Sequence, residues 1–205
     1  MKYRLARVAT DLTPDRLLEA YSDGWFAMAE DCDDKQFKWF SPRLRGILPI
    51  GGFHVGKNCK RLVRQGNYQV KVNANFQSTV EACADREWTW ISDKFIALFC
   101  SLHERGYAHS VEIYDLEERF IAGQYGVALK GAFFGESLFS KKSDMDKVTL
   151  YHTHKILADN GFSLWDHQYH TQYLARMGCI EIRRKEYKKM LRKALKEDCE
   201  FKLFK

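Results

Sequence analysis

The six cysteines of this 205-residue chain never fall into a C-x-x-C pair: Cys32, Cys59, Cys83, Cys100, Cys179 and Cys199 stand singly. That excludes the common structural zinc frameworks. A chain of this length buries enough core to do without disulfides, so free thiols in a reducing cytoplasm are expected. No apolar run approaches the roughly 20 residues a membrane span needs. Met1 to Leu12 carries no apolar core segment, so no signal peptide is expected. Internal repeats and low-complexity segments are lacking. H-E-x-x-H is absent. His152, His154, His167 and His170 have i,i+2 and i,i+3 spacings that do not suit a metal, and surface positions are expected for them.

What is present is an ordinary globular composition, 45% hydrophobic and 29% charged, with a formal net charge of +6. The basic balance permits an anionic partner without requiring one. Length suits one compact domain, or one domain with a small satellite, and a monomer is expected. Thr13 and Pro14 open a helix with an apolar stripe of Leu17, Leu18 and Tyr21, ended by Gly24. Asp31 to Gln36 reads as a polar loop. Phe37 to Phe40 is aromatic and extended, and Ser41-Pro42 breaks it. A small N-terminal subdomain is placed at residues 1–42 and the main domain at 43–205.

Gly46 to Val55 reads as strand, turn and strand, and Gly56 to Gln65 as a basic helix. Tyr68 to Val72 alternates as a strand. Phe76 to Ala84 is helical, and Ser92 caps a helix running to Arg105. Three β-rich runs follow in His109–Tyr114, Phe120–Ala128 and Ala132–Phe139. Ser143, with Asp146 three residues on, caps a long helix to Asn160. Phe162 to Gln168 reads as a further strand, Thr171 to Met177 as a short helix, Ile180 to Ile182 as a last strand. The basic tail, Arg183 to Lys196, carries a helix and is assigned only packing and solubility. A meander feeding a crossover helix and a parallel strand is the pattern of the acetyltransferase-like (GNAT-like) α+β fold, whose central strands splay into a cleft.

Glu136, Asp166 and Gln168 sit on strands of an otherwise apolar sheet. A charge there is costly unless paired or used. Asp166 and Gln168, two apart on a strand, are expected to share one face. Glu136, flanked by Phe133, Phe134, Leu138 and Phe139, is either a counter-ion for a substrate ammonium or half of an internal pair with an arginine. Trp90 either stacks on a base or fills the core. Lys57, Lys60, Arg61 and Arg64 share one helical surface, suited to phosphates or simply solvated.

With these residues in hand, the chain resembles the bacterial leucyl/phenylalanyl-tRNA–protein transferases, collinearly from about Asp11 to about Leu191. The landmarks are Leu17-Leu18-Glu19-Ala20-Tyr21 with Gly24 and Phe26, Trp39-Phe40-Ser41-Pro42, Phe53-His54-Val55, Cys83-Ala84 and Thr89-Trp90-Ile91. They continue through Leu102 to Glu112, Gly135-Glu136-Ser137-Leu138-Phe139-Ser140, Asp166-His167-Gln168 and Met177-Gly178-Cys179. The resemblance implies transfer of Leu, Phe or Met from aminoacyl-tRNA to the α-amine of proteins beginning with Arg or Lys, marking them for degradation. It implies an acetyltransferase-like fold behind a small N-terminal domain and no cofactor. Asp166, Gln168 and Glu136 are then the catalytic candidates. Tyr21, Phe26, Trp90, Gln124, Phe133, Leu138 and Trp165 are the substrate-binding ones, and Lys57, Lys60, Arg61 and Arg64 meet the tRNA acceptor end. The chain departs from the family at Ala27, usually Pro, and at Arg43-Leu44-Arg45, usually Asp-Pro-Arg. It departs also at Gln124, usually apolar, and at Trp165, usually Ile or Leu. The last two bear on the choice of aminoacyl group.

A coenzyme A-dependent acetyltransferase is the alternative. It needs a glycine-rich turn to hold pyrophosphate, and Ser140-Lys141-Lys142-Ser143-Asp144 offers no glycine. A non-catalytic RNA-binding module would leave Glu136, Asp166 and Gln168 without a task.

Overall fold

The structure, a computed structural model, describes residues 5–9, 12–29 and 37–203. Cys32 and the loop expected at Asp31 to Gln36 lie outside the described residues. Near the N-terminus, β1 (Leu5–Ala9), α1 (Pro14–Ser22), β2 (Phe26–Met28) and β3 (Phe37–Phe40) make a three-stranded antiparallel sheet of order β1-β3-β2 with one helix. The Thr13 hydroxyl caps α1 by accepting the Arg16 N–H, and Pro14 occupies the first turn, where a missing donor costs nothing.

The other strands form one seven-stranded mixed sheet. In chain order they are β4 (Leu44–Ile47), β5 (Gln69–Val72), β6 (Ala108–Tyr114), β7 (Phe120–Leu129), β8 (Ala132–Ser140), β9 (Leu164–Asp166) and β10 (Ile180–Arg183). Their spatial order is β10-β4-β9-β8-β7-β6-β5. All neighbours are antiparallel except β8 and β9. The helices are α2 (Lys57–Gln65), α3 (Phe76–Ala84), α4 (Asp93–Glu104), α5 (Met145–Asp159), α6 (Gln172–Ala175) and α7 (Arg184–Ala194).

Alternation along the strands sends side chains to two cores. Ala132 and Phe134 of β8 join the core under α1, α3, α4 and α7. Phe133 between them joins the core under α5, with Val111 and Trp165. The protein is therefore mixed α+β, with helices on both faces of one central sheet. Among the described residues no helix is long and apolar enough to cross a membrane, and no group of three or more His, Cys, Asp or Glu could hold a metal ion.

Three expectations are corrected. Of Gly46 to Val55 only Gly46 and Ile47 are strand, the end of β4; a short 3-10 turn at Ile50–Gly52 and irregular chain follow. The N-cap of α5 is Asp144, not Ser143, and its φ of 64° leaves no side-chain cap bond. Of the four histidines expected at the surface, His152, His154 and His167 are partly buried and only His170 is exposed. His152 pairs with the Tyr68 hydroxyl and His154 with the Ile50 carbonyl.

Candidate active site

Pairing between β8 and β9 lasts for three residue pairs, Ala132–Leu164, Phe133–Trp165 and Phe134–Asp166. Beyond them the two strands part, and local features on each side account for it. On β8, Gly135 pairs with Gly126 and Ser137 with Tyr125, so Glu136 is the extra residue of a bulge. A bulge bends its strand and re-aims a side chain. On the other side the chain leaves β9 after Asp166 and turns sharply at Gln168, whose φ is 56°. A 2.5 Å bond from the Tyr169 N–H to the His167 carbonyl closes a γ-turn there. A left-handed residue bearing a Cβ costs about 1–2 kcal/mol. Asp166 and Gln168 thus do not share a strand face, as the sequence pattern suggests. They meet through the backbone of the turn.

The turn is held from below. Asp166 Oδ1 accepts the Gln168 N–H at 2.8 Å. Gly46 of β4 donates to the Gln168 carbonyl and accepts the His167 N–H. A Cβ on Gly46 would fall 2.5 Å from backbone atoms of Tyr169 and His170, so only glycine lets β4 come this close. Asp166 is fully buried. Its carboxylate takes three bonds from Arg45, at 2.8, 3.1 and 2.6 Å, and one from the Tyr187 hydroxyl at 2.6 Å. Burial works against the Arg45 charge, but the Asp166 carboxylate outweighs it and holds the guanidinium ionised. That guanidinium is sandwiched 4.6 Å from the ring centres of Phe26 and Tyr187, a favourable placing for a cation.

Above this base the Gln168 side chain meets Glu136. Gln168 Nε2 donates to Glu136 Oε1 at 2.9 Å, and the buried Tyr21 hydroxyl donates to the same oxygen at 2.6 Å. Among the described residues no arginine pairs with Glu136; Arg45 goes to Asp166 instead. Burial raises the Glu136 pKa to about 8, the Tyr21 hydrogen bond works against the rise, and the charge of Asp166 adds to it. With Nε2 committed to Glu136, Gln168 Oε1 accepts no bond among the described residues.

The gap between the strands is a cleft of about 350 Å³ that reaches both faces of the sheet. One lobe is aromatic, with Phe26, Trp88, Trp90 and Arg86. Trp90 packs edge-on against Phe95, and Phe26 stacks on Phe40. The other lobe lies against α5 and holds Gln124, Leu138, Leu150, His167 and Leu174. Glu136 and Gln168 stand between the lobes. Of the sequence candidates, Phe26, Trp90, Gln124, Leu138, Glu136 and Gln168 line the cleft. Tyr21 lies behind Glu136. Phe133 and Trp165 do not reach the cleft; strand alternation turns both into the core under α5, against Phe201 and Phe53.

Arg45 and Tyr187 escaped sequence reasoning, as did the rim residues Arg86 and Trp88. A lone arginine or tryptophan has no periodic signature. The tail helix is more than solubility surface, because α7 brings Tyr187 to Asp166. Lys57, Lys60, Arg61 and Arg64 are all exposed on α2. Three of them, Lys57, Lys60 and Arg64, border a separate hollow with Tyr151, and none lines the cleft. The five described cysteines are free. Burial raises the thiols of Cys59, Cys83 and Cys179 to about 11, 12 and 11, which makes them inert.

The fold of this chain is similar to that of FemX. The two structures superpose with a TM-score of 0.54 at 11% identity, over 82% of this chain and 66% of FemX. Sequence places the chain more closely. Residues 47–192 match the family model described as leucyl/phenylalanyl-tRNA protein transferase, and residues 10–43 match that of its N-terminal domain. The leucyl/phenylalanyl-tRNA–protein transferase of Cereibacter sphaeroides is 46% identical over 93% of this chain and 88% of its own length. Those of Ruegeria pomeroyi and Salinibacter ruber are 42% and 45% identical, over 93% and 90% of this chain and 90% and 81% of their own lengths. The chain belongs to the leucyl/phenylalanyl-tRNA protein transferase family.

Proposed function

We infer that this chain is an aminoacyltransferase that moves Leu, Phe or Met from aminoacyl-tRNA to the α-amine of a protein whose N-terminal residue is Arg or Lys. The observation that carries the reading is the Glu136–Gln168 pair, bonded at 2.9 Å inside the cleft between diverging strands. In this reaction the amine nitrogen attacks the ester carbonyl carbon. The new C–N bond forms, the bond to the tRNA ribose oxygen breaks, and that oxygen ends with the proton the amine gives up. The ester is already activated, so orientation and the handling of one proton are what the protein adds. Gln168 Oε1 accepts a hydrogen bond from the incoming amine and fixes its approach; a neutral amide is too weak a base to do more. Glu136 is the counter-ion for a substrate ammonium, whose charge draws its carboxyl toward the ionised form. Asp166 positions Gln168 by holding its strained backbone and touches no substrate.

The aromatic lobe suits the terminal adenine, stacked on Trp90, and the leucine-lined lobe suits the aminoacyl side chain. Lys57, Lys60, Arg61 and Arg64 meet acceptor-stem phosphates. The acetyltransferase-like description of the fold is supported by the β8–α5–β9 crossover and the gap beside it. A division near residue 42 is supported by the separate three-stranded sheet. A monomer acting in the cytoplasm completes the reading.

Coenzyme A chemistry is the alternative on such a fold. The β8–α5 turn disfavours it, because Asp144 caps α5 and Asp146 lies in its first turn, putting negative charge where a pyrophosphate would sit. Incubating the protein and an Arg-initiated peptide with radiolabelled Leu-tRNA, or with labelled acetyl-coenzyme A, decides. Label moves from the tRNA alone; label from coenzyme A alone overturns the reading.

A further inference from the structure

Trp88 leaves more than half of its surface, 58%, open to solvent, and it does so at the mouth of the cleft. Trp90, two residues on, lines the same cleft but is braced edge-on by Phe95, with 5.0 Å between ring centres. Arg86 lies two residues before Trp88. Its Nη2 donates to the Ser137 hydroxyl at 3.3 Å and to the Leu138 carbonyl at 3.2 Å, which ties the loop between α3 and α4 to β8. Arg86 is the one arginine or lysine among the described residues that lines the cleft, and it meets no carboxylate among them. The loop's acids, Asp85 and Glu87, are exposed and do not line the cleft. The His167 imidazole further in is kept neutral, burial lowering its pKa to about 4. The mouth of the cleft thus carries an open indole beside a positive charge.

We propose that Trp88 and Arg86 hold the penultimate nucleotide of the aminoacyl-tRNA. Its base stacks on the Trp88 indole, and the phosphate that joins it to the terminal adenosine meets the Arg86 guanidinium. The inference rests on the transferase reading, in which Trp90 takes the terminal adenine. Stacking suits a single-stranded 3′ end, because every base has a π-face and an exposed ring needs no particular base edge. Charge decides between the two substrates that enter the cleft. A phosphate is drawn to Arg86, whereas an acceptor beginning with Arg or Lys is repelled by it.

The test uses Leu-tRNA carrying either the ordinary nucleotide or an abasic one next to the terminal adenosine. The full chain is assayed with an Arg-initiated peptide. Wild type uses the ordinary tRNA about tenfold better in kcat/KM, and the difference lies in KM because stacking holds ground state and transition state alike. Trp88→Ala brings that ratio to about one, and Trp88→Tyr, which keeps a ring, retains most of it. Arg86→Gln lowers the use of both tRNAs about tenfold and leaves their ratio standing, since both carry the phosphate. Equal use of the two tRNAs by wild type overturns the proposal, as does an unchanged ratio in Trp88→Ala. Full use of both by Arg86→Gln overturns the phosphate contact. A raised KM for the peptide in Trp88→Ala, with the tRNA ratio unchanged, gives the indole to the acceptor protein instead. Transfer from neither tRNA by wild type overturns the transferase reading.

Discussion

Gln168 is both strained and useful, and its substitutions separate the two properties. At φ 56° an alanine keeps the strain and loses the amide, whereas a glycine loses both. Gln168→Gly is expected to be more stable than Gln168→Ala by about 1 kcal/mol in chemical denaturation. Both should lower the transfer rate by about tenfold to a hundredfold while tRNA affinity barely changes, because the amide acts on the attacking amine and not on the tRNA backbone. Loss of binding in step with rate would sink the positioning role. Glu136 makes a pH prediction. Its folded pKa of about 8 lies above its ordinary 4.5, so the folded state holds the proton more tightly between those values. The stability this contributes is full below the lower value and is lost as pH rises through the upper one. Glu136→Gln should therefore gain on wild type as pH rises from about 5 to about 8, with a slope below the limit of about 1.4 kcal/mol per unit because the carboxyl is only partly buried. Urea midpoints for both proteins that shift in parallel with pH would remove the buried-acid account.

At the scale of elements, four meet at Asp166: β4 through Arg45, β9 through the carboxylate, α7 through Tyr187 and the turn through Gln168. Asp166→Asn leaves the Arg45 guanidinium buried without its counter-charge. A loss of about 3–5 kcal/mol is expected from thermal or urea unfolding. Tyr187→Phe removes one bond and keeps the ring over Arg45, so about 1–2 kcal/mol is expected. Activity should fall in Tyr187→Phe through the turn, seen in kcat more than in KM. A tail helix with only surface duties would show neither loss. The meander, the crossover helix and the following strand were legible because alternation and the caps mark them. The cleft was legible only as residue types. Phe162 to Gln168 reads as one strand, yet the last two residues leave it, since the Gly46 contact and the Asp166–Gln168 bond override local β preference. Equally, Glu136 in a β-rich run carries no mark of a bulge, which is set by its partner strand. Trp165 and Phe133 look like pocket residues for the same reason: their facing depends on where the sheet opens, not on their type.

For the whole molecule, the polar machinery is interior while the basic residues of α2 are exterior, away from the cleft. Reversing Lys57, Lys60 and Arg61 to Glu should weaken binding of every aminoacyl-tRNA alike. The slope of log affinity against log salt should flatten by about one for each phosphate contact removed. An unchanged slope in filter binding would mean that α2 is only solvated. Such a result would leave the cleft chemistry untouched, because no residue of α2 lines it.

The gap between β8 and β9 also bears on how the protein avoids sticking to itself. The outer edges of the large sheet are β5 and β10, each four residues long, and both carry charge, Lys71 on one and Glu181 and Arg183 on the other. Short, charged edges resist pairing with another sheet. Beyond Phe134, β8 has a third edge, facing the space that β9 vacates. It runs from Gly135 to Ser140, is mostly polar, and lies in the middle of the sheet, with β7 along its other side and helices over both faces. Glu136 and its hydrogen-bonded partners Tyr21 and Gln168 stand along it, a charge-bearing group of the kind that opposes pairing with another sheet. The molecule thereby keeps an unpaired strand edge open to a ligand without offering a template for aggregation.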